Sequence, residues 1–263
     1  VSPFGSVVIT GASRGLGAAL ARRFAAPGVR LLLIARSEAA LAEVARDCAA
    51  RGAVARIAAV DVCDAGAMAT ALAAFEAEGP VDLVIANAGT SAGTAPDGAP
   101  ETGAAAARQV AVNLLGAMHL VGPLLPGMIA RQRGTVGLIA SVAAWRGLPD
   151  MPGYCASKAG LRAWGEGLRA AHAHRGIRVS VVCPGFFDSA MGERFIGPRP
   201  LLLTLDQAAE QTCRALVAGT ALAVFPAALG WLMRLLGLLP ARLGDRAARV
   251  MRFRIRAEDG AGG

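Results

Sequence analysis

Short apolar runs alternate with longer alanine-rich stretches along almost the whole chain. Runs such as Arg30 to Ala35 (Arg-Leu-Leu-Leu-Ile-Ala) are apolar at consecutive positions rather than alternate ones. That pattern suits strands buried on both faces of a parallel sheet. Strands are predicted near residues 6–10, 30–35, 54–60, 81–86, 134–140, 177–183 and 221–225. Helices are predicted over 16–26, 38–51, 65–78, 104–131, 153–174 and 205–218. Repeated βα units with right-handed crossovers give an α/β fold, a doubly wound parallel sheet of about seven strands with helices on both faces. No internal repeat or linker divides residues 1–226, which form one domain; residues 227–263 read as an apolar, then Arg-rich, helical extension of it. The least regular segment, Pro184 to Pro200, directly follows a strand. An α/β protein usually carries a substrate loop there.

Composition narrows the class. At 54% hydrophobic and 17% charged residues, the chain has ample material for a large core and is not disordered in character. The net charge of +8 raises the question of a polyanionic partner, but the arginines are spread along the chain and aromatic content is 5%. A nucleic-acid partner is not expected. The five cysteines (Cys48, Cys63, Cys155, Cys183, Cys213) are odd in number and far apart, so neither a disulfide framework nor a zinc knuckle is expected. They suit a reducing compartment. A strand begins almost at once rather than a secretory signal, so a cytoplasmic location is expected. His172 and His174 point roughly opposite ways on a predicted helix and His119 has no evident partner, so no metal site is expected. An uncharged stretch of nineteen residues between Arg214 and Arg234 is nominally long enough to span a bilayer. Gly219, Thr220, Pro226 and Gly230 interrupt it, and it divides into a helix end, a short strand and a new helix.

The only tyrosine and the only lysine stand four positions apart, at Tyr154 and Lys158. Every other basic residue among the 27 is an arginine, so lysine is not the default cation of this chain. On a helix the phenol and the ammonium project from one face. A free phenol titrates near ~10, and a neighbouring ammonium favours the phenolate, which makes a competent proton shuttle. A partly buried tyrosine beside a solvated lysine is the bland alternative, and the rest of the chain decides between them.

The first predicted strand runs into Thr10-Gly11-Ala12-Ser13-Arg14-Gly15-Leu16-Gly17 and then a helix. Glycines allow a tight turn and a close backbone approach, and the helix start offers unpaired amides to a pyrophosphate. The spacing is Gly-x-x-x-Gly-x-Gly. Further along stand Asp61-Val62 after the third strand, Asn87-Ala88-Gly89 after the fourth and Asn113 in Val112-Asn113-Leu114. Ser141 follows the fifth strand, Tyr154 comes thirteen residues later, and Pro184-Gly185 closes the sixth strand. Over roughly residues 5–225 the chain resembles the short-chain dehydrogenase/reductase family, whose fold is a Rossmann-type sheet.

The resemblance implies an oxidoreductase that interconverts a ketone or aldehyde and an alcohol. Tyr154 would be the acid/base, Ser141 would hydrogen-bond the substrate oxygen, and Lys158 would lower the Tyr154 pKa and bind the nicotinamide ribose. Asn113 would position a water in a relay beyond Lys158. Asp61 and Val62 would hold the adenine, and Asn87, Ala88 and Gly89 would sit against the ribose. Pro184, Gly185, Phe187 and Ser189 would flank the nicotinamide, with Ser189 standing where the family often has Thr. Dinucleotide folds that prefer NAD usually place an acid at the end of the second strand. This chain reads Leu33-Ile34-Ala35-Arg36-Ser37 there. Arg36, with Arg14 and Ser13 from the glycine turn, could hold a 2′-phosphate. NADP(H) is the expected cofactor.

The rival readings are a reductase of an acyl thioester-linked 3-ketone, a sensor that binds NADP(H) without turnover, and an epimerase or dehydratase. Sensors of this kind commonly lose Tyr or Lys, and the epimerase branch carries a different glycine spacing. The expected substrate wall is mostly apolar, formed by Ala143, Trp145, Met151, Phe186, Met191 and Phe195 with Leu148 and Ile196, so a lipophilic carbonyl or alcohol is expected. The tail departs from the family pattern. Leu229 to Leu239 is apolar nearly all round, and Arg242, Arg246, Arg249, Arg252, Arg254 and Arg256 follow. An apolar anchor with an arginine cluster suits a peripheral contact with an anionic membrane. Packing on the chain's own domain or in a homodimer would bury the same surface, and both readings stay open.

Overall fold

The structure, a computed structural model, describes residues 3–256 of the chain. The amino-terminal half runs β1 (Ser6–Thr10), α1 (Gly15–Phe24), β2 (Arg30–Ala35), α2 (Glu38–Ala49), β3 (Val54–Ala59), α3 (Ala65–Ala77) and β4 (Leu83–Ala86). A long helix follows in two parts, α4 (Gly103–Val110) and α5 (Gly116–Ala130), joined by a π-helical turn at Ala111–Leu115. Next come β5 (Gly134–Ile139), α6 (Pro152–His172) and β6 (Ile177–Pro184), then a loop that holds α7 (Ala190–Glu193) and β7 (Phe195–Ile196). The chain continues through α8 (Leu205–Ala218), β8 (Leu222–Phe225), α9 (Ala227–Leu238), α10 (Ala241–Val250) and β9 (Arg254–Ile255).

Seven strands form one parallel sheet in the order β3-β2-β1-β4-β5-β6-β8. This is the doubly wound arrangement that the pattern of apolar runs predicts. Successive side chains enter opposite layers: Val7 and Ile9 of β1 pack with α1, α2 and α8, while Val8 packs with α3, α5 and α6. Leu31 and Leu33 of β2 join the first layer, Leu32 and Ile34 the second. A strand buried on both sides needs an apolar residue at every position, which is why these runs do not alternate. Only the edge strand β3 shows alternation, with Val54 and Arg56 exposed.

Local signals set the helix ends. The Asp64 side chain caps α3 by accepting from Ala67 N–H at 2.9 Å. Thr204 and Gln207 form a reciprocal capping box at the start of α8, and Gly219 ends that helix in the left-handed region. The helix predicted over 104–131 is present with one irregularity that periodicity could not show. A Cβ on Gly116 would lie 2.6 Å from a Val62 methyl, so the π turn brings glycine to the point where the helix meets the loop after β3. By length and composition Gly103–Ala130 could also cross a membrane. In this fold its buried face packs on α3, α6 and the sheet.

The uncharged stretch between Arg214 and Arg234 divides, as expected, into the end of α8, β8 and the start of α9. The tail differs from expectation. It is helical only as far as Val250; residues 252–256 then form an extended strap, in which β9 pairs antiparallel with β7. The physical reason lies in the alternation of Arg252, Phe253, Arg254, Ile255 and Arg256: Phe253 and Ile255 are buried and the arginines point outward. Residues 257–263, also assigned to the helical extension, lie outside the described residues.

Asp150 holds this strap. Its carboxylate is 1% exposed and accepts from Phe253 N–H at 3.0 Å, Thr94 Oγ1 at 3.1 Å and Arg252 at 3.3 Å. Burial alone would raise its pKa, but the Phe253 amide, Arg252 and Thr94 together hold it below the ordinary carboxylate value. Its stabilising contribution is therefore present at neutral pH and is lost as pH falls through that depressed value. We expect Asp150→Ala to lower stability by about 1–3 kcal/mol, because it strands a buried amide and a buried hydroxyl. Limited proteolysis should then cut near residues 251–256, and denaturant unfolding checks the magnitude.

Candidate active site

Strand order reverses between β1 and β4, where the helices following them diverge to opposite faces. Ligands of open α/β sheets bind at the carboxyl ends of the strands at such a point. The reversal is tied shut by Thr10 and Asn87. Thr10 Oγ1 accepts from the N–H groups of Asn87 and Ala88, each at 3.2 Å. Asn87 Nδ2 donates to the carbonyls of Thr10 at 3.0 Å and Gly11 at 3.2 Å. Two glycines are required by this packing. A Cβ at Gly11 would meet Ala88 Cα at 2.8 Å, and one at Gly17 would meet Gly11 O at 2.1 Å. Gly15 differs, because it takes φ +54° and nothing lies within 4 Å of where its Cβ would be. The turn is thus open on the outer side of Gly15, at the start of α1, whose first turn receives no side-chain cap. Open space and uncapped amides fit a dinucleotide phosphate.

Arg14, at the cap of α1, and Arg36, directly after β2, are exposed and make no ion pair among the described residues. Ser13 is half-buried in the turn, and Leu16 is buried beneath it. At the far side, Asp61 Oδ1 accepts from Cys63 N–H at 2.9 Å and Oδ2 pairs with Arg108 at 3.0 Å. Burial raises the Asp61 pKa, and the Cys63 amide and Arg108 more than offset it, so the group stays ionised at neutral pH. Val62 is buried against Gly116, and its carbonyl meets the His119 ring at 2.8 Å. Arg108 was not legible as a site residue, since only the fold brings α4 beside Asp61.

Ser141, Tyr154 and Lys158 come together beyond the carboxyl end of β5. Ser141 accepts from Ala143 N–H at 3.1 Å, which turns the chain into a single 3₁₀ turn, and its hydroxyl acts on the Tyr154 phenol to lower its pKa. Tyr154 and Lys158 share a face of α6 as their spacing predicts, with Nζ 5.8 Å from the ring centroid. Lys158 is buried and donates to the Ile139 carbonyl at 2.8 Å. The start of α6 is fixed separately, by Glu101, which accepts from Gly153 N–H at 2.7 Å.

Burial dominates the electrostatics of this trio. Burial pushes the phenol up to about 12, the Ser141 hydroxyl opposes that, and the thiols of Cys155 and Cys183 add to it. Burial also lowers Lys158 to about 8. Desolvation is the largest cause of both shifts, with Lys158 buried and Tyr154 half-buried against apolar neighbours. Tyr154 is therefore held as the neutral phenol at neutral pH.

Asn113 lies in the π turn, 1% exposed. Its Oδ1 accepts from Thr90 N–H at 2.8 Å, and its Nδ2 donates to Thr90 O at 3.0 Å and Ser157 Oγ at 2.9 Å. The side-chain amide thus binds the loop after β4 to α6. Gly89 runs beside it; a Cβ there would lie 3.3 Å from Asn113 Oδ1 and 3.5 Å from Lys158 Nζ.

Of the expected substrate wall, Ala143, Met151, Phe186 and Phe195 join one apolar cluster with Leu148 and Tyr154. Trp145 touches its border, but the guanidinium groups of Arg162 and Arg234 lie over its indole, 5.3 and 5.0 Å from the ring centroid. Met191 is exposed on α7 and stays outside the cluster. Pro184 is buried at the end of β6, and Gly185 N–H donates to Phe225 O at 2.7 Å. Phe187 bridges to Leu203, while Ser189 caps α7 by accepting from Gly192 N–H at 3.0 Å. The cluster also contains Phe253 of the strap, stacked on Phe195 at 4.3 Å, and Leu229 and Met233 of α9. The alternation of Arg252 to Arg256 signals that Phe253 is buried but not that it meets Phe195, because that contact spans the carboxyl-terminal helices.

A family model described as short chain dehydrogenase matches residues 6–197. An uncharacterized oxidoreductase of Myxococcus xanthus is 34% identical, over 94% of this chain and 97% of its own length. Among solved structures, a short chain dehydrogenase of Mycobacterium paratuberculosis bound to NAD is 25% identical with a TM-score of 0.73, covering 83% of this chain and 94% of that one. The actinorhodin polyketide ketoreductase with NADPH is 25% identical with a TM-score of 0.74, covering 86% of this chain and 97% of that one. The family match spans well over half of the chain, and the chain belongs to the short-chain dehydrogenase/reductase family of oxidoreductases.

Proposed function

We propose that the protein reduces an apolar ketone or aldehyde to the alcohol with NADPH, or runs the reverse with NADP. The observation that carries this reading is the meeting of Ser141, Tyr154 and Lys158, with Lys158 next to Gly89 in the loop that Asn87 ties to the glycine turn. When bound, a nicotinamide dinucleotide supplies or accepts the hydride, and the protein supplies binding, orientation and proton transfer. Gly15 and the start of α1 would take the pyrophosphate, and Lys158 the nicotinamide ribose. Tyr154, held as a phenol by burial, is in the right state to give its proton to a carbonyl oxygen. Ser141 would hold the same oxygen and stabilise its developing charge. Asn113 would act at a distance, by fixing the loop of Gly89 and Thr90 against α6, next to Lys158.

Likeness alone does not choose the dinucleotide, since one neighbour was solved with NAD and another with NADPH. The choice of NADP(H) rests on Arg14 and Arg36, two exposed guanidinium groups without ion-pair partners among the described residues, and on the lack of an acid at the end of β2. The polyketide ketoreductase neighbour supports ketone reduction as the reaction class. The apolar cluster around Phe186, Phe195 and Phe253 supports a lipophilic substrate.

Tyr154→Phe tests the reading directly. It should lower kcat by about 10²–10⁴-fold, the usual worth of a positioned proton donor. NADPH affinity, read by fluorescence, should be nearly unchanged, because the phenol acts on the substrate. Retention of a tenth or more of wild-type kcat would remove Tyr154 from the mechanism.

Arg36→Asp should shift preference from NADPH towards NADH by tenfold or more in the ratio of kcat/KM values. It removes a charge-assisted contact worth about 1.5–3 kcal/mol and adds an acceptor for a ribose hydroxyl. A wild type that already prefers NADH contradicts the assignment of Arg14 and Arg36.

The pH profile follows from Lys158. Its ammonium is present below about 8 and is lost above it. Because kcat/KM reports the free enzyme, kcat/KM for NADPH should be flat near neutrality and fall as pH rises through about 8. The neighbouring thiol of Cys183 is raised to about 12 by burial and does not titrate in that window.

A further inference from the structure

The two faces of α9 are both apolar, and only one of them is covered. Leu229, Met233 and Leu236 are buried against the domain, at 3%, 1% and 7% exposure. On the opposite side Trp231, Leu232, Leu235 and Leu238 are 61%, 48%, 59% and 81% exposed, and Leu239 follows at 37%. A helix on the surface of a soluble domain ordinarily presents polar residues outward. Here the one charged residue of α9, Arg234, folds back over the rings of Trp145 and Trp231, 5.0 and 5.2 Å from their centroids. A contiguous apolar face of this kind marks an interaction surface.

The next helix indicates what covers it. Arg242, Arg246 and Arg249 are exposed on α10 and make no ion pair among the described residues. The only acid of α10, Asp245, is already engaged by Arg146. Leu243 and Val250 are also exposed, at 52% and 87%. A second copy docked through the same two helices offers these arginines no free acid, since Asp245 is the one acid on either helix, and unmatched like charges across an interface cost affinity. A negatively charged apolar surface satisfies both features at once. Leucines and Trp231 enter the headgroup and acyl boundary, while the arginines meet anionic headgroups. At about 18 Å, α9 is too short to span a bilayer and would lie along it.

We propose that the exposed face of α9, with the arginines of α10, docks the protein on an anionic lipid surface. This inference does not depend on the reaction proposed above. The test is co-sedimentation of the full chain with vesicles of equal parts phosphatidylcholine and phosphatidylglycerol, set against pure phosphatidylcholine. The chain should pellet with the anionic vesicles and bind neutral ones at least tenfold more weakly, with binding falling as salt rises. Leu235→Asp combined with Leu238→Asp should abolish pelleting without changing thermal unfolding, since both side chains are exposed. Arg242→Gln, Arg246→Gln and Arg249→Gln together should weaken anionic binding by about a hundredfold. Failure to pellet, or equal pelleting with neutral vesicles, overturns the proposal. So does a dimer in sedimentation velocity that Leu235→Asp splits, which would give the face to a second copy.

Discussion

The site depends first on the seam between β1 and β4. There the winding of the sheet changes face, and two parallel strands would otherwise part and leave their last amides unpaired. Thr10 and Asn87 close that gap with four hydrogen bonds between side chain and backbone. Their effect is to bring the turn after β1 and the loop after β4 so close that Gly11 and Gly17 have no room for a side chain. Gly15, on the outside of the same turn, keeps its space. A rigid inner wall and an open outer one follow from one set of bonds. The loop of Gly89 and Thr90 is then carried on to Asn113, and through Ser157 to the helix that bears Tyr154 and Lys158.

Burying Lys158 is the costly part of this arrangement. An ammonium removed from water is destabilised unless it is well satisfied, and here the described structure gives it the Ile139 carbonyl. The lowered pKa of about 8 records that cost, just as the raised value of about 12 does for Tyr154. The two shifts run in opposite directions for one reason, since burial disfavours whichever form is charged. Proximity in sequence places both groups on one face of α6, and burial then acts on each of them. The charge of a neighbour counts only after desolvation has been charged against both partners.

What was legible in the sequence is what is local. Consecutive apolar residues in Arg30–Ala35 report a strand covered on both sides, and Gly11-x-x-x-Gly15-x-Gly17 reports a turn with its own steric demands. The strap was missed although its signal was present. Arg252 to Arg256 alternates with the period of a strand, but the preceding arginines of α10 make the Arg-rich part of the tail read as helix throughout. Arg108 and Asp150 could not have been found that way. Each acquires its partner only when elements distant in sequence meet, Arg108 with Asp61 and Asp150 with Phe253. Met191 and Trp145, also expected in the substrate wall, sit differently from the rest: one faces solvent and the other seats two arginines at the border of the cluster.

The tail joins these local and distant effects. Its strap pairs with β7, so the loop between β6 and α8 is closed by a strand from the end of the chain rather than by its own turns. Phe253 extends the edge-to-face contact of Phe186 with Phe195 into a three-ring stack, and Arg194 and Arg256 exchange hydrogen bonds beside it. The buried face of α9 lies in the same apolar cluster as Tyr154. One twelve-residue helix therefore has one side against the candidate substrate wall and the other turned outward. Removing the tail would expose the wall and free the loop together, because the same residues complete both. The carboxyl-terminal segment is for that reason part of the catalytic domain's architecture, although it lies beyond the residues that carry the family's motifs.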